Sequence, residues 1–209
     1  MSNKIRIKIF NKHIVLSEEI IQICRDYATD MKKDGTAAAH YGSKGHPEKK
    51  ININCFEGKL AEFAFEKYFK ETYNKPISTP DVEVRTVKER WKLRYDPDLT
   101  TKKCYYHIKS TSMRNNRDYG DPSWSFNIKD PVMRMPNKKD VIICCTTMDD
   151  NSVMLDFGVF AMDLDMKFYE LPYLDGYKES KRCVYWKTLK NTILSDSKIV
   201  LEHLKEYEN

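Results

Sequence analysis

The run Asp140-Val141-Ile142-Ile143-Cys144-Cys145-Thr146 constrains the fold more than any other stretch. It is almost continuously apolar, too short for a helix core, and has no polar alternate positions. That pattern belongs to a central strand rather than to one half-exposed to water. A chain with such a strand must supply layers to cover it.

The covering elements are readable nearby. Asn54 to about Thr72 carries a wide apolar stripe of Phe56, Leu60, Phe63, Ala64 and Phe65, the pattern of a buried helix face. Asn54 with Glu57 makes a capping-box-like start, and Asn74, Pro76 and Pro80 stop the helix. Ser17-Glu18-Glu19 opens an earlier helix with a cap and an acidic first turn, running to about Lys33 and closed by Gly35. Residues 35–50 are polar and read as a loop.

Strand patterns fill the remainder. Residues 4–10 alternate basic and apolar, as a half-buried strand does. Val82–Val84 is short, Arg90–Tyr95 alternates, and Cys104–Lys109 follows a polar turn, so the last two suggest a hairpin. Residues 110–123 read as a polar loop, Val153–Met162 contains another strand, and Phe168–Leu171 a short one. A closing helix is expected near Asp196–Tyr207. The whole is a mixed α/β sandwich without repeats or a second domain over residues 1–209.

Composition sets outer limits. No run of about 18 apolar residues exists, which argues against a transmembrane helix. The N-terminus lacks the long apolar stretch of a secretory signal, so an intracellular protein is expected. None of the six cysteines forms a CxxC pair, and reduced, mostly buried thiols are the expectation. The Lys- and Asn-rich composition is of the kind an AT-rich genome gives, that of a phage or a low-GC bacterium. The balance of 36 Lys+Arg against 31 Asp+Glu permits nucleic-acid binding without requiring it. The distribution is more telling: Arg85, Lys88, Arg90, Lys92, Arg94, Lys102 and Lys103 crowd one segment. Lys109, Arg114, Arg117, Lys129, Arg134, Lys138 and Lys139 occupy a second.

Three pieces between and beside these basic segments carry chemistry when taken together. They are Gly58-Lys59-Leu60-Ala61-Glu62, Tyr95-Asp96-Pro97-Asp98-Leu99 and His107-Ile108-Lys109-Ser110-Thr111. Period-2 geometry puts His107 and Lys109 on one strand face, with Ile108 turned to the core. A hairpin can bring Asp98 beside that face, where it and a neighbouring ligand can hold a divalent cation. Glu62 can complete the ion's shell from the helix, and Lys109 can orient water or stabilise charge on a phosphorane. Each residue alone has a plainer reading: an exposed helix acid, a turn aspartate, a surface lysine, a satisfied strand histidine.

In order and spacing the three pieces resemble the PD-(D/E)xK phosphodiesterase superfamily of restriction enzymes, recombination nucleases and phage nucleases. Pro97-Asp98 matches the PD element, and His107-Ile108-Lys109 stands where (D/E)xK belongs after a gap of eight residues. Ser110-Thr111 and the GKLAE stretch also resemble the family, as do Trp124-Ser125-Phe126 and the strand at 140–146, over about residues 54–160. The resemblance implies a restriction-endonuclease-like core, a central mixed β-sheet flanked by helices. It implies a Mg²⁺- or Mn²⁺-dependent endonuclease that hydrolyses DNA. Asp98, Glu62 and His107 are then metal ligands and Lys109 the water-orienting or charge-stabilising group. Arg94, Lys102, Arg114 and Arg117 would grip phosphates, and dimerisation would be expected of an enzyme that cuts both strands.

His107 departs from the family's usual Asp or Glu. Imidazole suits Mg²⁺ poorly and Mn²⁺ better. Three outcomes follow: His107 is a ligand with a Mn²⁺ preference, Glu62 or Asp96 compensates, or the chain is a catalytically inactive nucleic-acid-binding module. An interaction protein with a coincidental motif is a further alternative. Asp149-Asp150, Asp163 and Asp165, His40 and His46 are weaker candidates. Trp124 and Phe126 read as core, with base stacking by Trp124 as the alternative.

Overall fold

The structure is a computed structural model. It describes residues 7–33, 48–85, 89, 92–93, 95–114, 121–164, 168–173 and 175–195. The elements in chain order are β1 (Ile7–Ile14), α1 (Glu18–Lys33), α2 (Glu48–Tyr73), β2 (Leu99–Thr100), β3 (Tyr105–Ser112) and β4 (Ser123–Asn127). They continue with α3 (Pro131–Arg134), β5 (Asp140–Thr147), β6 (Val153–Phe160), β7 (Lys181–Tyr185) and α4 (Trp186–Ser195). The class is mixed α/β, with a central mixed sheet flanked by helices.

The main sheet has the order β1-β6-β5-β3-β2. The apolar run forms β5, which pairs parallel with β3 and antiparallel with β6. The other two pairings, β1 with β6 and β2 with β3, are antiparallel. Both faces of β5 are covered, which is why its sequence carries almost no polar position. On one face Val141, Ile143 and Cys145 meet Leu60, Ala64 and Phe65 of α2 and Cys24 of α1. On the other, Ile142 and Cys144 meet Trp124, Phe126 and Val184 of a two-stranded β4–β7 sheet. Trp124 fastens this second layer: its Nε1–H donates to the Cys145 carbonyl at 2.9 Å, and its ring stands edge-on to Phe157. Trp124 and Phe126 are therefore core residues, each about 1% exposed.

Helix ends follow local chemistry. Ser17 Oγ accepts the Ile20 amide at the start of α1, with Glu18 and Glu19 in the first turn. Helix α2 stops where Asn74 takes the left-handed conformation, φ 50°. Asp130 caps α3 by accepting the Val132 amide, and Pro131 occupies a first-turn position that needs no donor.

Several expectations are corrected. Helix α2 begins at Glu48, so Asn54 lies inside it and does not cap it. Glu48, Lys49 and Lys50 are good helix formers that extend the helix backwards. Val82–Val84 forms no strand. The alternating Arg90–Tyr95 segment is not the partner of β3. Lys92 and Leu93 are helical and exposed, and Leu99–Thr100 takes the β3 edge instead. Strand β1 extends to Ile14 beyond the expected end at residue 10, and β3 runs on to Ser112 into the expected loop. Phe168–Leu171 reduces to a single bridge, Glu170 to Cys183. The expected helix near Asp196–Tyr207 lies outside the described residues, as do residues 35–47, and the helix observed before it is α4. All six cysteines are free and buried. No helix among the described residues is long and apolar enough to cross a membrane.

Gly158 marks a tight approach within the main sheet, between β6 and its neighbours β5 and β1. A Cβ there would lie 3.0 Å from Ile143 Cδ1 and 3.0 Å from Phe10 Cζ. The Phe10 ring is itself held edge-on by Tyr68 and Phe65 and has little room to yield. Gly158→Ala should therefore cost about 1–3 kcal/mol of stability. The measurement is a urea unfolding midpoint; an unchanged midpoint would mean the Phe10 ring gives way freely.

Candidate functional site

The site is organised by the alternation of β3. Ile108 packs against the helix-side core, together with Tyr106. His107 and Lys109 point to the other face, as a shared period-2 set should. Lys109 Nζ stands 5.3 Å from the Phe126 ring centroid and 3.4 Å from Asp130 Oδ2. His107 Nε2 lies 3.4 Å from Asp140 Oδ1.

Asp98 immediately precedes β2, at the sheet edge. Its Oδ2 accepts the Ile108 amide at 2.7 Å. The carboxylate thus takes the place of a ladder partner where the two-residue strand β2 has run out. It is partly buried and fixed in direction by a backbone donor.

Glu62 faces inward from α2 and is only 8% exposed. Its Oε2 accepts from Lys59 Nζ at 2.5 Å, one helical turn earlier. Lys59 is equally buried, with its ammonium 5.0 Å from the Tyr27 ring centroid. Burial pushes the Glu62 carboxyl up to about 8; Lys59 opposes this, and repulsion from Asp98 and Asp81 adds to it. Burial pulls the Lys59 ammonium down, but Glu62, Tyr27 and Asp98 together hold it above its ordinary value. The Cys24 thiol beside them is pushed up to about 12 by burial and by Glu62. Lys59, Glu62 and Asp98 therefore form one electrostatically coupled group between α2 and the edge of β3. Asp81 stands at its margin, engaged by Arg85, which holds its carboxyl below the ordinary range against the opposing effect of burial.

The four expected site residues are thus not all brought together. Glu62 and Asp98 belong to one group; His107 and Lys109 lie across the sheet from Glu62. The reason is geometric: α2 covers the face that Ile108 occupies, so the side chains flanking Ile108 must leave by the other face. His107 thus stands beside Asp140, on the face of β3 away from α2 and Glu62. Among the described residues no group of three or more His, Cys, Asp or Glu side chains is placed to hold a metal ion. Asp96 is exposed. Lys102 and Arg114 are exposed near the two ends of β3, while Arg94 and Arg117 lie outside the described residues. Asp150 is used in a turn, accepting from the Ser152 amide and hydroxyl.

Lys59 was not singled out in the sequence, although its spacing from Glu62 was visible; a Lys three residues before a Glu usually marks a surface pair. Asp130 and Asp140 likewise gained meaning only through the fold. Asp130 had one signal, the Asp-Pro start of a short helix. Comparison with family models, with curated proteins and with solved structures gave no match to this chain.

A separate half-buried carboxylate offers a pH test of the sheet. Asp156 accepts from Thr146 Oγ1 at 2.8 Å, yet burial raises its carboxyl to about 6 despite that bond. The folded state thus holds the Asp156 proton more tightly than the unfolded chain does. Its contribution to stability is complete below the ordinary value near 3.8 and is lost as pH rises toward 6. Asp156→Asn should raise the melting temperature at about pH 7 more than at about pH 4. An equal effect at both pH values would place no titration at this residue.

Proposed function

We propose that the chain is a metal-dependent nuclease of the PD-(D/E)xK kind, hydrolysing DNA phosphodiesters at a centre formed by Asp98 and Glu62. The observation that carries this reading is the coupling of those two carboxylates with the buried Lys59 at the end of the β2–β3 edge. Two carboxylates and a lysine are the chemical ingredients that the motif resemblance calls for, here with the lysine on the helix.

The donor set suits a hard divalent cation. Asp98 and Glu62 offer carboxylate oxygens, as Mg²⁺ and Mn²⁺ favour. His107 does not fit the same centre. Such a cation polarises a phosphate and lowers the pKa of bound water. The chain's own residues prepare the centre. The Ile108 amide aims Asp98, and Lys59 aims Glu62 and balances its charge. Lys102 and Arg114 on the exposed ends of β3 are suited to phosphate contact, so association should weaken with salt.

A second reading has its own support. Because His107 and Lys109 are turned from Glu62, a catalytically inactive nucleic-acid-binding module remains the alternative. Cleavage assays on supercoiled, linear and single-stranded DNA with Mg²⁺, Mn²⁺ or EDTA separate the two. The nuclease reading expects metal-dependent cutting that Asp98→Asn abolishes and Glu62→Gln reduces roughly tenfold or more. His107→Gln should stay within about threefold of the parent, since the imidazole lies outside the centre. Salt-sensitive binding with no cleavage of any substrate would instead favour the binding module.

A further inference from the structure

Two turns at one end of the main sheet repeat a single pattern. Thr101-Lys102-Lys103-Cys104 leads into β3, and Asn137-Lys138-Lys139-Asp140 leads into β5. In the first, Thr101 Oγ1 accepts the Lys103 and Cys104 amides at 3.3 and 3.0 Å, and the Thr101 amide donates to the Cys104 carbonyl at 2.9 Å. In the second, Asn137 Oδ1 accepts the Lys139 amide at 3.0 Å, and the Asp140 amide donates to the Asn137 carbonyl at 2.9 Å. A side-chain oxygen at the first position of a tight turn fixes the backbone around the two central residues. In both turns those two residues are lysines. Lys102, Lys103 and Lys138 are exposed, and Lys139 is half-buried.

The fold sets the two turns side by side. Strands β3 and β5 are parallel and begin level, Tyr105 against Asp140. The Tyr105 amide donates to the Lys139 carbonyl at 2.9 Å, which ties the second turn to the first strand. Neighbouring strands lie about 5 Å apart. Four lysines therefore leave one end of the sheet from two adjoining turns. The one acid in these turns, Asp140, is engaged elsewhere: it accepts the Asn137 amide at 2.7 Å and stands 3.4 Å from His107, with its side chain 14% exposed. No ion pair among the described residues engages any of the four lysines.

Like charges gathered in this way repel one another, and a dense polyanion is their complement. A nucleic acid suits them better than an acidic polypeptide does. A duplex carries one charge about every 1.7 Å of its axis. Its phosphates accept lysines as point charges. The first turn also begins close to Asp98: four residues separate Asp98 from Lys102, at most about 13 Å of extended chain.

We propose that the Lys102–Lys103 and Lys138–Lys139 turns form one docking surface for a nucleic-acid backbone. The surface joins the ends of the two basic segments of the sequence. It rests on the reading above for the class of its partner, and it needs neither the metal nor the Asp98–Glu62 centre. The grip is electrostatic and independent of base sequence.

The test is binding of a short fluorescein-labelled DNA duplex to the full chain in EDTA, followed by anisotropy over a range of sodium chloride concentrations. The parent should bind with an affinity that falls with salt. Lys102→Ala/Lys138→Ala should reduce the slope of log affinity against log salt by about 2, since each lost phosphate contact removes about 0.9. Lys12→Ala/Lys67→Ala removes the same charge on the far side of the sheet, where Lys12 belongs to β1 and Lys67 donates to the Val15 carbonyl just beyond it. That pair should keep the parental slope. A turn pair with the parental slope overturns the surface, as does a control pair that lowers the slope equally, because net charge alone then accounts for binding. Displacement of the duplex by polyglutamate more readily than by unlabelled duplex assigns the lysines to an acidic protein and overturns the proposal. Cleavage with Mg²⁺ or Mn²⁺ is scored in parallel. A parent that cuts DNA while the turn pair keeps its slope loses this surface and retains the nuclease reading. A parent that binds without cutting, with the turn pair weakened, retains the surface and loses that reading.

Discussion

The parallel pairing of β3 with β5 is the constraint on which the rest depends. Eight residue pairs, from Tyr105 with Asp140 to Ser112 with Thr147, set its register. Since β5 is apolar from Val141 to Cys145, both faces of this pair must be covered. Helices cover one and the β4–β7 sheet the other. Each residue of β3 is then committed to one of two separate environments. A shift of one residue would exchange them, sending Lys109 into the helix-side core and Ile108 out of it. That exchange would bury an unpaired charge, so the register is strongly specified.

From this division come two polar groups of different kinds. On the helix side, Lys59 and Glu62 are buried together, and Asp98 reaches the group from the sheet edge. A close buried ion pair is not in itself a source of stability, because removing both charges from water is expensive. The pair is set among Leu60, Ala61 and Phe63, where its two charges depend on each other and on the Tyr27 ring. On the other side, Lys109 and Asp130 form a looser pair beside the Phe126 ring.

The layers were legible from residue pattern and the connections were not. A strand buried on both faces announces itself by lacking polar positions, as residues 140–146 do. The stripe on α2 and the serine and acids opening α1 are equally direct. By contrast, β2 has two residues and carries no period, and the alternation over Arg90–Tyr95 does not mark the partner of β3. The site divides likewise. Asp98 stands out because it follows a proline, and Glu62 because it closes the Gly58–Glu62 stretch. Lys59 looks like half of a surface pair, and only its depth distinguishes it. Alternation tells that His107 and Lys109 share a face. It cannot tell which face α2 will cover, and that decided which residues stand together.

The most direct test of the account is whether Asp98 and Glu62 act as one centre. Mn²⁺ titrated into the full chain and followed by electron paramagnetic resonance measures this without requiring a substrate. The account predicts saturable binding that Asp98→Asn and Glu62→Gln each weaken, while His107→Gln leaves it unchanged. Binding that survives Asp98→Asn but is lost in His107→Gln would contradict it, and would place the metal across the sheet.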